Sequence, residues 1–279
     1  MEIKIEYKEL GKTGEKIPAL GLGTWGIGGF SYPDYSNDEL AIEIIRFAVE
    51  IGMNFIDTAE MYGAGHSEEL VGEAIKGIRE KVFIATKVLP TNFRYEDVIK
   101  ACERSLRRLK TSYIDLYQLH WPNPSIPIKE TMRAMERLAN EGKIRYIGIS
   151  NFSVEETIEA MNALSKYEIV SNQVEYSLLV RDIEKDLLDF CRKNKITVIA
   201  YSPLARGELL KGKYYEFLSK IGKKYNKTAA QVALNWLIIK ENVVAIPKAF
   251  SKAKIVENMG AYGWKLSDED LKAIDEFFK

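Results

Sequence analysis

Short apolar runs rich in β-branched and aromatic residues recur along the chain, each followed by a longer stretch of helical spacing. The runs are PALGLGT at 18–24, MNFID at 53–57, VFIATKV at 82–88, IDLYQLH at 114–120, IRYIGIS at 144–150, IVSNQVEY at 169–176, ITVIAYS at 196–202 and VVAIPK at 243–248. Between them, stretches such as DELAIEIIRFAVEIG at 38–52 and YEDVIKACERSLRRL at 95–109 place apolar residues three and four apart, as amphipathic helices do. Ser153 with Glu156 and Thr228 with Gln231 have the spacing of capping boxes, and Gly52, Gly142 and Gly260 stand where a left-handed C-terminal cap is expected. Eight strand–helix repeats in a chain of 279 residues predict the α/β class and a (β/α)₈ barrel, one domain over 1–279. EYKELGKTGEKIPAL at 6–20, with Gly11 and Gly14 between short runs, predicts a β-hairpin before the barrel. SDEDLKAIDEFF at 267–278 predicts an extra C-terminal helix.

Composition narrows the function. Hydrophobic residues make up 46% and charged residues 29%, enough for a sizeable core, while Lys plus Arg balances Asp plus Glu at 40 each. Without net charge or a basic block, nucleic acid and anionic membrane are poor partners. The start, MEIKIEYKEL, has no apolar signal core and no run is long enough to span a bilayer, so a soluble cytoplasmic protein is expected. Cys102 and Cys191 sit in helical patterns without a Cys-x-x-Cys pair and read as reduced helix residues. No clustered ligand set for zinc is visible, so no metal is expected. Gln occurs only at 118, 173 and 231 amid abundant Lys and Glu, a bias of heat-stable proteins.

GLGTWG at 21–26 matches the Gly-x-Gly-x-x-Gly pattern of a doubly wound dinucleotide fold. That pattern works only when it turns a strand directly into a helix, and here IGGFSYPDYSND follows, with Pro33 and further turn formers. The match reads as incidental. In a barrel the chemistry collects at the C-terminal ends of the strands. Those ends carry Asp57 followed by Tyr62, then Lys87, His120, Ser150 with Asn151, Gln173 with Glu175, Tyr201 with Ser202, and Lys248. A free phenol, with a pKa of about 10, is a poor acid at neutral pH. A neighbouring ammonium lowers that pKa, and a carboxylate keeps the ammonium charged and oriented. A histidine beside the phenol can direct a carbonyl oxygen by hydrogen bonding.

The segments LGLGTW, DTAEMYG, TK, LHWP, GISNF, NQVEY, AYSPL and IPKAFSKAKIVEN follow one another over nearly the whole chain. In that order they resemble the aldo-keto reductase superfamily. The resemblance implies an NAD(P)H-dependent carbonyl reductase, reversible toward alcohol oxidation, with Tyr62 as general acid, Lys87 and Asp57 adjusting its pKa, and His120 positioning the carbonyl. It implies that Ser150, Asn151 and Gln173 hold the nicotinamide carboxamide and that Tyr201 stacks on its ring. Further cofactor contacts are implied at Gly23, Thr24, Trp25 and Asp57, along Ser202, Pro203 and Leu204, and at the adenosine end through Ile246, Pro247, Lys248, Ala249, Ser251, Lys254, Glu257 and Asn258.

Two departures bear on specificity. Ala249 stands where the family often has serine and Lys254 where it often has arginine; NADP(H) is still expected first, because two lysines face the implied phosphate, with NAD(H) as a usable second. Lysine keeps the cation but loses bidentate geometry. Leu89 replaces a common tryptophan, which widens a substrate pocket implied to be walled by Trp25, Met61, Tyr62, Leu89, His120 and Trp121. The expected partner is a small carbonyl or alcohol, taken by a monomer, with a dimer as the alternative. Two rival readings are a Schiff-base lyase using Lys87 and a cofactor-binding regulatory subunit.

Overall fold

The computed structural model describes residues 4–279, so the first three residues of the N-terminal segment lie outside it. The expected hairpin forms: β1 (Tyr7–Glu9) runs antiparallel to β2 (Lys16–Pro18), with Tyr7 opposite Pro18 and Glu9 opposite Lys16. Then come β3 (Leu22–Gly23), β4 (Phe55–Asp57), β5 (Phe83–Val88), β6 (Ile114–Leu119), β7 (Ile144–Ser150), β8 (Ile169–Glu175), β9 (Thr197–Tyr201) and β10 (Val243–Ala245). They form an 8-stranded sheet in chain order, every neighbouring pair parallel. Parallel bridges Leu20↔Ala245 and Gly23↔Lys248 join the last strand to the first and close the barrel. A Cβ at Gly23 would lie 2.7 Å from the Ile246 carbonyl oxygen, so this seam closes only over a glycine.

Around the barrel run α1 (Asp38–Glu50), α2 (His66–Ala74), α3 (Tyr95–Leu109), α4 (Ile128–Asn140), α5 (Val154–Ala163), α6 (Leu187–Lys193), α7 (Gly212–Tyr225), α8 (Ala229–Ile238), α9 (Lys252–Met259) and α10 (Asp268–Phe277). The extra C-terminal helix is thus present. A second extra helix, α7, stands between β9 and α8, where the repeat predicts one helix only. Both capping boxes form, Ser153 with Glu156 and Thr228 with Gln231. Gly52 and Gly142 are left-handed as expected, at φ 93° and 70°. Gly260 is not, at φ −67°. It is there for space: a Cβ would lie 2.1 Å from the Gln231 amide nitrogen, which donates to the Glu257 carbonyl.

Two apolar layers position the site. An outer layer, with Ile56, Ile84, Tyr117 and Val198 from the strands, packs against helix residues such as Ile45, Val98 and Met135. An inner cluster of Phe55, Phe83, Ala85, Leu116, Ile199 and Val244 fills the barrel, and the hairpin's Leu10 and Ile17 plug it from one end. The opposite end is left for polar side chains.

Candidate active site

Strand alternation decides which residues meet there. Side chains two apart share a face. On β4 the inner Phe55 is followed by Asp57, on β5 Phe83 and Ala85 by Lys87, on β6 Leu116 by Gln118 and then His120, and on β9 Ile199 by Tyr201. Each strand therefore points an apolar residue into the plug and a polar residue into the mouth above it. The Lys87 ammonium, fully buried, donates to Asp57 Oδ1 at 2.6 Å, to the Thr58 carbonyl at 2.8 Å and to Tyr62 Oη at 3.0 Å. The Gln173 amide donates to Asp57 Oδ2 at 2.7 Å, and Gln118 lies 3.4 Å from the same oxygen.

Tyr62 comes from the turn after β4, 8% exposed, with the Trp25 ring edge-on at 4.9 Å and the His120 ring at 5.9 Å. Trp121 stacks on His120 at 3.8 Å and 12°. Burial, with the Lys87 charge behind it, pushes the His120 pKa down to about 2, so the imidazole is neutral. Its Nδ1 is buried without a partner. Placing the proton on Nε2 leaves a bare lone pair at Nδ1, whereas the other tautomer would strand a donor there, so Nε2–H is favoured.

The electrostatics correct one expectation. Lys87 was expected to bring the Tyr62 phenol below its free pKa, yet burial outweighs the lysine and the pKa is raised. Lys87 acts in the expected direction against that burial. For Lys87 itself burial opposes the charge, but Asp57 and Tyr62 outweigh it and its pKa is raised. The ammonium is a permanent charge.

The aldo/keto reductase family model matches residues 19–279. A methylglyoxal reductase of Escherichia coli, YeaE, is 41% identical over 264 residues, 94% of this chain and 91% of the relative. Among solved structures, the thermostable aldo-keto reductase Tm1743, with the inhibitor epalrestat, is 51% identical at TM-score 0.94, covering 98% of this chain and 99% of that one. An aldo/keto reductase of Klebsiella pneumoniae, in complex with NADP and acetate, is 38% identical at TM-score 0.89, covering 99% of this chain and 96% of that one.

The chain belongs to the aldo/keto reductase family. It is an oxidoreductase acting on carbonyl compounds. Around the mouth of this aldo/keto reductase the remaining sequence-predicted residues fall into two banks. On β7 and β8, Ser150 Oγ donates to the Gln173 carbonyl at 2.8 Å and Asn151 Nδ2 to the His120 carbonyl at 3.1 Å, while Tyr201 Oη donates to Asn151 Oδ1 at 2.9 Å. Asn151 and Ser202 hold left-handed backbone, φ 62° and 48°, a strain that collects at functional sites. Past β9 come Ser202, the buried Pro203 and the half-buried Leu204, with Glu175 3.8 Å from Arg206.

On the neighbouring strand end, Ile246, Pro247 and Ala249 are buried and Lys248 is exposed. The Lys248 ammonium lies over the rings of Phe250 at 4.6 Å and Phe30 at 5.5 Å rather than on a carboxylate. Ser251 caps α9, accepting from the Lys254 N–H at 3.2 Å, and buried Asn258 lies within that helix. Lys254 is 59% exposed and already bound to Glu257 at 2.7 Å. Gly23 and Thr24 are buried at the seam, Trp25 and Trp121 are 38% and 37% exposed, and Met61 and Leu89 are half-buried.

Two groups that meet at the site escaped the sequence reading. Gln118 carried a usable signal, since it precedes His120 by two on the same strand face. The Thr58 carbonyl carried none, because a backbone group has no residue type. Among the described residues no group of His, Cys, Asp and Glu could hold a metal, and no helix is long and apolar enough to cross a membrane.

Proposed function

We propose that this enzyme transfers a hydride between NADP(H) and an aldehyde or ketone, small 2-oxoaldehydes among them, with Tyr62 as the acid in reduction and the base in alcohol oxidation. One observation carries the reading: a fully buried Lys87 ammonium touches both Asp57 and the Tyr62 phenol. The residues around the mouth fit a dinucleotide. Lys248 is a cation without a carboxylate for a phosphate, Ser150, Asn151 and Gln173 offer polar atoms for a carboxamide, and Tyr201 offers a ring face. The dihydronicotinamide, when bound, supplies the hydride.

The chain's own residues handle the proton and the oxygen. His120, neutral with Nε2–H, donates to the substrate carbonyl oxygen and fixes its direction. Tyr62 donates its phenolic proton to that oxygen, and Lys87 stabilises the phenolate left behind. The Asp57 carboxylate, held by the Gln173 amide, keeps Lys87 charged and aimed. Because burial raises the Tyr62 pKa, the phenol keeps its proton through neutral pH, so reduction is favoured there and oxidation rises with alkalinity. Trp25, Met61, Leu89 and Trp121 make an apolar wall that suits small or aromatic carbonyls.

Tyr62→Phe tests the reading. It is expected to bind NADPH normally and to lose turnover by about 10²–10⁴-fold, the usual contribution of a general acid. Near-normal reduction would overturn the assignment. The buried free thiols of Cys102 and Cys191 suit a reducing, cytoplasmic setting. The Lys- and Glu-rich composition supports a heat-stable enzyme, which a melting curve checks.

A further inference from the structure

The chain has two histidines, and the chemistry above uses one. The other, His66, is 7% exposed and opens α2 immediately after the turn that carries Tyr62. Both of its ring nitrogens face carboxylates. Nε2 lies 2.9 Å from Asp38 Oδ1 at the start of α1, and Nδ1 lies 2.9 Å from Glu69 Oε2 on α2. Two carboxylate acceptors call for two N–H donors, which only the imidazolium provides. The Tyr35 ring covers the imidazole at 4.3 Å.

The turn between Tyr62 and His66 suits its two glycines but not Ala64. Gly63, Ala64 and Gly65 stand at φ 56°, 51° and 99°, a left-handed run that includes a non-glycine residue. Its contacts impose the shape. The Gly63 N–H donates to the Phe30 carbonyl at 2.7 Å, and a Cβ at Gly63 would lie 2.2 Å from the Gly28 carbonyl oxygen. One end of the turn is fixed by β4 through Asp57. The other end is fixed where His66 ties α2 to α1.

We propose that the His66 imidazolium, clamped between Asp38 and Glu69, is a positioning residue that holds the Tyr62 turn in its left-handed shape, so that turnover falls when His66 loses its proton. The inference rests on Tyr62 being the proton donor. The charged groups facing His66 favour the cation. Asp38 comes from α1, Asp34 from the preceding loop and Glu69 from α2. In the cleft beside it, Arg107 is also present, while Arg108 from α3 is bound to Glu68 and Lys110 to Glu73. Burial opposes the charge, but the hydrogen bonds to Glu69 and Asp38 outweigh it and the pKa is raised above its ordinary value. With a raised folded pKa, the clamp is fully present at acid pH and is lost as pH rises through that value.

The test uses the small number of imidazoles. His120 stays neutral down to about pH 2, so the imidazole NMR signal that titrates near neutrality belongs to His66. Its midpoint is expected above 6.5, the free value. At saturating NADPH, the kcat for aldehyde reduction is expected to fall with the same midpoint. Asp38→Asn and Glu69→Gln each move both midpoints down together and leave NADPH binding unchanged. His66→Asn removes that limb and lowers kcat about tenfold, since small misplacements of a reacting group are costly in rate. An NMR midpoint at or below 6.5, or a kcat limb that stays put in both carboxylate variants, overturns the proposal. So does His66→Asn with unchanged kcat. Should His66→Asn fail to fold, the two carboxylate variants decide. Full activity in Tyr62→Phe would instead sink the Tyr62 assignment and leave the imidazole midpoints as they were.

Discussion

Replacing Lys87 with Met removes a charge while filling much of the space of its stem. The ammonium is 3.0 Å from Tyr62 Oη, so its attraction for the phenolate is about 5 kcal/mol at an effective dielectric of about 20. The phenol is already raised by burial, and without Lys87 nothing on the strand ends opposes that burial. Asp57, 1% exposed, would keep only the Gln173 and Gln118 amides, and its charge would repel the phenolate. Reduction should fall by about 10²–10⁴-fold, the range of a lost general acid. In the oxidation direction, where Tyr62 must start as phenolate, the alkaline limb of kcat should move upward out of the measurable range. Asp57→Asn should do less, since Lys87 keeps its charge and its bonds to the Thr58 carbonyl and Tyr62. The assay is kcat against pH in both directions, with NADPH fluorescence as the binding control. An unmoved oxidation limb at any residual rate in Lys87→Met would refute the electrostatic role.

Lys254→Ala should weaken NADP(H) relative to NAD(H) by about 1.5–3 kcal/mol if a charge-assisted bond to the 2′-phosphate is lost, read as the difference in the two Kd values. Lys254→Arg should shift preference toward NADP(H), because the guanidinium grips phosphate bidentately; equal effects on both cofactors would count against either outcome. Trp121→Leu should lower kcat with NADPH binding unchanged, and Trp121→Phe should restore it, because a ring face is what orients His120. Asp115→Asn, at the other end of β6, should lower Tm by roughly 6 °C or more, from the ~3–5 kcal/mol of a broken buried pair, and leave kcat alone.

Much of the fold was legible because barrel strands and helices have distinct periods. β5 and β6 read directly as VFIATKV and IDLYQLH, and the two capping boxes were read to the residue. What escaped was set by contacts. Gly260 looks like a helix terminator in sequence, yet it is a glycine because the Gln231 amide passes over it. The extra helix α7 follows a strand that already has a barrel helix, and periodicity alone does not say which of two helices closes the repeat. At the site, the strand-end positions of Asp57, Lys87 and His120 followed from where each apolar run stops. The sign of the Tyr62 shift did not, because it depends on how much water the fold removes from the phenol, a quantity no residue type carries.

The same limit explains why acid–base pairs in this sequence cannot be ranked by residue type. Among the described residues three carboxylates are at most 2% exposed and paired with cations, while Asp270, at 3%, meets a lysine, Lys224, that is itself half exposed. Glu68 binds Arg108 and accepts from Thr86, joining α2 to α3 and β5. Asp115 binds Arg79 and Arg145 and accepts from the Ile84 N–H, tying β6 to β5 and to its neighbours. Asp57 binds Lys87. In the first two the cation is arginine, which stays protonated and holds its partner by fork geometry, and where Arg145 reaches on to Glu15 and the Tyr146 phenol it does so at the protein surface, away from the barrel mouth. Of these three only the last uses lysine, a compact charge, and only there does the cation's remaining bond go to a buried phenol, Tyr62, at the mouth of the barrel. A buried pair that ends on fixed donors can do no more than hold elements together. One that ends on Tyr62 changes the free energy of moving a proton, which supports the proposal that the chemistry sits at Asp57 and not at the other two acids.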